Sequence, residues 1–80
     1  MSDRSKIVGL LLKAACRITI HERAAEEAGW RAEEEQFANN PAGAAAFQAT
    51  VTACRTDAAV MREVMQRLAM QLTRMPLKSS

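Results

Sequence analysis

Aromatic residues are scarce in this chain, which has two phenylalanines, one tryptophan and no tyrosine among 80 residues. Large rings supply much of the buried area in small globular cores, so a core here must depend on aliphatic side chains, methionine and alanine. Two helices cannot enclose such a core by themselves, and chains of this size usually need a cross-link or a partner. The sequence therefore predicts self-association.

Cysteine, proline and glycine are also few, with two, two and three copies. The separation of Cys16 and Cys54 matches none of the usual zinc spacings, and we interpret both as reduced core thiols. No glycine-rich phosphate loop, catalytic triad or metal signature occurs in the sequence. We therefore expect no enzyme activity, no catalytic residue, no cofactor and no bound metal.

The chain has neither a strong charge of one sign nor a long hydrophobic run. Its formal net charge of +2 is too small to indicate nucleic-acid binding on its own. The longest uncharged apolar run, 7–12, is far shorter than the roughly 20 residues of a membrane-spanning helix. Arg17 follows it without a small-residue cleavage site for a signal peptidase. We expect a cytoplasmic protein that does not contact membranes.

What the sequence does contain is helical periodicity with a single break. Asn39 suits the left-handed conformation that ends a helix, Asn40 is a good N-cap, and Pro41 suits the first helical position. This pattern predicts one helical-hairpin domain over 1–80, with a first helix at about 4–38 and a bend at 39–41. The second helix is expected at about 41–75, where Pro76 stops it, and a frayed tail at 76–80.

Apolar residues recur at alternating spacings of three and four on both sides of the bend, which is the heptad seam of a coiled coil. The first helix contributes Ile7, Leu11, Ala14, Ile18, His21, Ala25, Ala28 and Ala32. The second contributes Ala44, Phe47, Val51, Cys54, Ala58, Met61, Met65, Leu68, Leu72 and Met75. When paired residue numbers sum to 79, every first-helix member meets a second-helix member, and the midpoint falls between Asn39 and Asn40. The sequence thus predicts an all-α fold of two long antiparallel helices forming a helical hairpin.

Further apolar residues lie beside the seam, in the half of the hairpin away from the bend. They are Val8, Leu10, Leu12, Cys16, Ile20, Val60 and Val64. A hairpin seam does not need them, so we predict that they form the dimer interface of a homodimeric four-helix bundle. Basic residues concentrate toward the open end of the hairpin and acidic residues toward the bend. This distribution favours an antiparallel dimer, although each surface ion pair contributes only ~0–1 kcal/mol.

Trp30 and Phe37 point away from the seam and are surrounded by glutamates. One interpretation is that the partner subunit or the bend covers them. The other is an exposed anchor for a different protein, because a tryptophan in polar surroundings is typical of binding hot spots. The predicted protein-binding residues are Trp30, Phe37, Glu26, Glu33 and Glu34.

Three other features have a chemical and a structural interpretation. His21 lies one turn from Cys54 in the predicted register, which suits a Cys–His pair or a zinc site shared by a dimer, but no third group orients them. We favour a polar seam residue that fixes register. The consecutive residues 33–35 point about 100° apart, which indicates a solvated face. Three of the four methionines Met61, Met65, Met70 and Met75 lie on the seam, which favours core filling over an adaptable binding surface.

The leading functional prediction is a small non-enzymatic regulator or adaptor, such as an inhibitor, anti-activator or chaperone-like protein. It would bind an unidentified protein partner as a homodimer. The alternative is an RNA- or DNA-binding dimer that uses Lys13, Arg17, Arg62 and Arg67 at the open end. In architecture, and in no sequence motif, the predicted hairpin resembles dimeric two-helix regulators that bind RNA. A third possibility is a structural subunit whose surfaces are consumed by assembly.

Overall fold

A computed structural model of the chain describes residues 3–75, which form two long helices. Helix α1 spans Asp3–Phe37 and helix α2 spans Pro41–Arg74. The two helices pack against each other along their length, and no strand occurs in 3–75. The predicted helical hairpin is confirmed, with helix ends within one residue of the expected ones. Pro76 and the expected frayed tail lie outside the described residues.

The end of α1 is a Schellman motif built around Asn39. Asn39 has a φ of 57°, the left-handed conformation predicted for it. Its backbone N–H donates to the carbonyl of Gln36 at 3.0 Å, and the N–H of Asn40 donates to the carbonyl of Glu35 at 2.8 Å. These two bonds satisfy carbonyls that the end of a helix would otherwise leave without partners.

The start of α2 is fixed by the Asn40 side chain. Its Oδ1 accepts from the backbone N–H of Gly43 at 3.2 Å, and Pro41 occupies the first turn, so both predictions for these residues are confirmed. The Asn40 Nδ2 also donates to Glu35 Oε2 at 2.7 Å. One side chain therefore ties the last turn of α1 to the first turn of α2.

The seam is buried as its heptad spacing predicted. Every seam residue of both helices is buried or half-buried, and the central cluster joins Ala25 and Ala28 to Val51, with Phe47 and Cys54 packed beside them. This packing agrees with the predicted antiparallel alignment. Most of the fully buried residues are alanines, so the interior of the single hairpin is thin.

Burial is uneven along the hairpin. Helix α2 is fully buried at Ala44, Val51 and Ala58, all in its first half. From 59 to 75 its seam consists of large methionines and leucines, yet each of them is only half-buried. The open half of the hairpin therefore carries large apolar side chains that α1 alone does not cover.

Between residues 3 and 75, neither α1 nor α2 contains a stretch that is both long enough and apolar enough to cross a bilayer.

Replacing Asn39 with alanine tests the left-handed helix end. A side chain without the local hydrogen bonding of asparagine costs about 1 kcal/mol in this conformation, so Asn39→Ala should lower the free energy of unfolding by that amount. Asn39→Gly, the matched control, should stay within about 0.5 kcal/mol of the native chain. Urea unfolding followed by circular dichroism, at one fixed chain concentration, measures both. Equal losses in the two variants would contradict this description of the bend.

Gly43 tests the cap itself. A Cβ atom at this position would lie 2.7 Å from Asn40 Nδ2, so Gly43→Ala should displace the capping side chain. In an Asn40→Ala background this conflict is gone, and Gly43→Ala should then add the ~1 kcal/mol that alanine gains over glycine within a helix. A double-mutant cycle of unfolding free energies measures the coupling. Additive effects would show that the two side chains do not compete for space.

Candidate functional site

Trp30 and Phe37 form an exposed aromatic stripe on the outer side of α1. They lie seven residues apart, which in a heptad repeat places both opposite the seam. The exposed fraction is 60% for Trp30 and 97% for Phe37. Neither ring folds back over the bend, and the part of the chain from 3 to 75 leaves this stripe uncovered.

Glutamates line both sides of the aromatic stripe. Trp30 and Phe37 border one shallow depression together with Glu33 and Glu34. On the side toward the middle of α1, Trp30 borders a second depression with Arg23, Glu26 and Glu27. The heptad positions place Glu26 and Glu33 on one flank of the stripe and Glu27 and Glu34 on the other. We call these six residues, Trp30, Phe37, Glu26, Glu27, Glu33 and Glu34, the aromatic–acidic surface.

Most of the carboxylates on this surface have no partner within the described part of the chain. Glu27 forms an ion pair with Arg31 at 3.6 Å. Within 3–75 no ion pair or hydrogen bond engages the carboxylates of Glu26, Glu33 and Glu34. The surface therefore combines two apolar rings with uncompensated negative charge. This chemistry suits a protein partner whose apolar side chains are flanked by lysine or arginine.

Two glutamates near this surface, Glu27 and Glu35, form contacts that were not predicted from the sequence. Glu27 was left out of the predicted site, although its spacing of four from Arg31 is the one that favours a helical ion pair. Glu35 was grouped with the solvated acidic run, but its carboxylate accepts the hydrogen bond from Asn40 at the bend. Nothing in the spacing of Glu35 identifies that role, because it depends on the geometry of the turn.

His21 and Cys54 both lie half-buried in the seam. Among residues 3–75 no group of three or more histidine, cysteine, aspartate or glutamate side chains is placed to hold a metal ion. Cys16, by contrast, is exposed on the outer side of α1, so the interpretation of it as a core thiol is wrong for the hairpin, because its position lies opposite the seam.

The two broad sides of the hairpin differ in chemistry. In an antiparallel pair of helices, the e positions of both helices share one side and the g positions share the other. The seam residues occupy the a and d positions, with Ile18 and Ala58 at a and His21 and Met61 at d. Glu22 and Arg62 therefore both occupy e positions, and they form an ion pair across the hairpin. We call their side the ion-pair face. The opposite side carries g and c positions of both helices, and we call it the Ile20 face.

The predicted dimer residues are divided between these faces. Leu10, Ile20, Val60 and Val64 belong to the Ile20 face, Val8 and Leu12 to the ion-pair face, and Cys16 to the outer side of α1. Five of them are large hydrophobic residues with exposed side chains: Val8, Leu10, Leu12, Ile20 and Val60.

The predicted nucleic-acid residues are divided in the same way. Lys13, Arg17 and Arg67 are exposed on the Ile20 face. Arg62 lies on the other face, where its guanidinium donates to the Glu22 carboxylate. The hairpin therefore brings three of the four basic side chains together and leaves out the one that is already paired.

Comparisons with protein-family models, with curated proteins and with solved structures found no match for this chain.

The exposure of Trp30 leads to a fluorescence prediction. Because its indole lies opposite the seam, emission should be red-shifted and readily quenched by acrylamide, and both properties should be the same in dilute and concentrated protein. Phe37→Ala should leave the spectrum nearly unchanged, since Phe37 does not bury the indole. A blue shift with loss of quenching as concentration rises would mean that self-association covers the aromatic–acidic surface.

Proposed function

We propose that this chain is a small non-enzymatic regulator or adaptor that binds another protein through the aromatic–acidic surface and acts as a homodimer. The observation that carries the proposal is the exposure of Trp30 and Phe37 on one helix face between unpaired carboxylates. Large aromatic rings are unfavourable in water and are enriched among the residues that dominate protein interfaces. A partner that buried both rings would gain most of its binding free energy there.

The charge around the rings defines the partner further. Glu26, Glu33 and Glu34 offer three carboxylates that have no ion-pair partner within 3–75. A partner with lysine or arginine beside an apolar pocket would be steered to this surface, and acidic competitors would be repelled. The proposed partner is therefore a protein with a basic, apolar recognition site.

Self-association is supported by the area that the hairpin leaves exposed. The chain has an accessible surface of 6299 Å², about 1,500 Å² more than the roughly 4,800 Å² expected for a compact monomer of its mass. A typical stable interface removes about 800 Å² from each partner. The excess is large enough for a dimer contact that leaves the aromatic–acidic surface free.

The proposal is tested by affinity capture from the native host lysate with three variants side by side. Trp30→Ala should lose the specific partner that the native chain retains. Met70→Ala, which removes another large exposed hydrophobic residue from the outer side of α2, should retain it. With the captured protein purified, Trp30→Ala should weaken its affinity by about 30-fold or more, the effect of a hot-spot residue. Identical captured proteins for all three chains would contradict the proposal.

Nucleic-acid binding is the alternative outcome of the same experiment. It would appear as retained RNA or DNA whose affinity falls steeply with salt and is lost in Arg62→Glu and Arg67→Glu. The proposed function requires instead that partner capture survives these two changes. A retained nucleic acid that is insensitive to Trp30→Ala would favour the alternative.

A further inference from the structure

The Ile20 face carries an apolar patch that the hairpin does not cover. It consists of Leu10 and Ile20 on α1 and Val60 and Val64 on α2. The exposed fraction is 49% for Leu10, 64% for Ile20 and 48% for Val60, and Val64 is half-buried. In the antiparallel alignment Val60 lies level with Thr19 and Val64 lies level with Ala15, so the four residues form one patch across both helices.

Charges on the Ile20 face are sorted along its length. Toward the open end the face carries mainly basic residues, namely Lys6, Lys13, Arg17, Arg67 and Arg74, with Asp3 as the one acid within 3–75. Toward the bend it carries Asp57, Glu27 and Glu34, together with Arg31, which pairs with Glu27. The apolar patch overlaps the basic part of the face and ends where the acidic part begins.

We infer that the Ile20 face binds a second copy of this chain in antiparallel orientation, patch against patch. This inference rests on the self-association part of the proposed function and specifies its surface and geometry. With a two-fold axis near Arg17, this residue meets its own copy at the centre, while Asp57 of each chain comes level with Lys13 and Arg67 of the other. The bend-proximal acids therefore meet the basic open end of the second copy, at both ends of the interface.

The parallel arrangement is disfavoured by the same charges. In a parallel two-fold dimer each level of the face meets the same level of the second copy with α1 over α2, so Lys13 of each chain would face Arg67 of the other, and the two copies of Asp57 would lie at the same level. Like charges brought together at an interface oppose association. The charge order on this face therefore selects the antiparallel dimer.

The ion-pair face is a poorer candidate for the contact. Two of its charges already compensate each other within the hairpin, since Arg62 pairs with Glu22. Its large exposed apolar residues, Val8 and Leu12, both lie near the open end. An antiparallel contact centred on them would leave most of the acidic half of each hairpin without a partner.

The proposed dimer leaves the two rings of the aromatic–acidic surface free, because Trp30 and Phe37 point away from the seam rather than along the Ile20 face. Glu27 and Glu34 lie at the border of the two surfaces and contribute to the dimer contact. Each dimer then presents two such surfaces, one toward each end and about 40 Å apart along the axis, at 1.5 Å per residue. A partner with two recognition sites, or two partner molecules, can occupy one dimer. This geometry suits a bridging adaptor.

The face is tested by comparing two substitutions of equal exposure. Ile20 and Leu12 are both 64% exposed, but they lie on opposite faces. Ile20→Glu should raise the dimer dissociation constant by about 100-fold or more, because both copies carry the change, while Leu12→Glu should leave it within about threefold. Sedimentation equilibrium measures the constants, and circular dichroism confirms that each variant is helical. Loss of the dimer in Leu12→Glu but not in Ile20→Glu would overturn the assignment of the face.

The orientation is tested by charge reversal and mixing. Asp57→Lys alone, and Lys13→Glu with Arg67→Glu, should each weaken the homodimer by about 10-fold, since each places like charges opposite one another. An equal mixture of the two chains should form a heterodimer of near-native affinity. Control reversals on the ion-pair face, Glu26→Lys and Arg55→Glu, should have little effect. If neither homodimer is weakened, the antiparallel orientation is wrong.

Failure of this inference is distinguishable from failure of the proposed function. A native chain that sediments as a monomer at every concentration tested would refute the homodimer, and the inference with it. A dimer whose dissociation constant is unchanged by Ile20→Glu and by the charge reversals would refute the assignment of the contact to the Ile20 face alone. Partner capture that is lost in Trp30→Ala but retained by monomeric Ile20→Glu supports the aromatic–acidic surface independently of the dimer.

Discussion

A seam between two helices covers only one stripe of each, and this limit governs the rest of the molecule. Helix α1 is apolar on several sides between 7 and 20, and a helix of that kind is normally surrounded by other elements. The hairpin supplies just one neighbour, α2. Leu10, Leu12 and Ile20 therefore remain exposed, and the methionines and leucines of the open half are only partly covered. The proposed self-association rests on this geometry, because burial of exposed apolar area is a main driving force for protein contacts.

The bend determines which surfaces remain for binding. Asn39 and Asn40 reverse the chain within a few residues, so the register of the two seams is fixed from one end. Once the seam is fixed, the aromatic stripe must lie opposite it, and the g and c positions must lie on a different side from the e positions. The rings of the proposed partner contact and the apolar patch of the proposed dimer contact thus lie on different sides of the hairpin, with Glu27 and Glu34 at the border between them.

The sequence was sufficient to predict the hairpin because its determinants are local or periodic. The apolar spacing continues through both helices, and Asn39, Asn40 and Pro41 each suit one conformation at the bend. The ion pair of Glu22 with Arg62 and the Glu35–Asn40 hydrogen bond were not predicted, since they depend on side-chain conformations and on proximity across the turn. The exposure of Trp30 was left between two interpretations. Burial by a second subunit is a property of an assembly that periodicity within one chain does not specify.

The central proposal is that a second copy covers the Ile20 face and leaves the other surfaces in water. NMR tests it directly by measuring the solvent accessibility of individual side chains. Relaxation caused by a soluble paramagnetic agent would be recorded for methyl groups and the Trp30 indole as chain concentration rises. The account predicts growing protection at Ile20, Val60 and Val64, with constant exposure at Leu12 and Trp30. Protection of Leu12 or Trp30, with Ile20 left accessible, would contradict it.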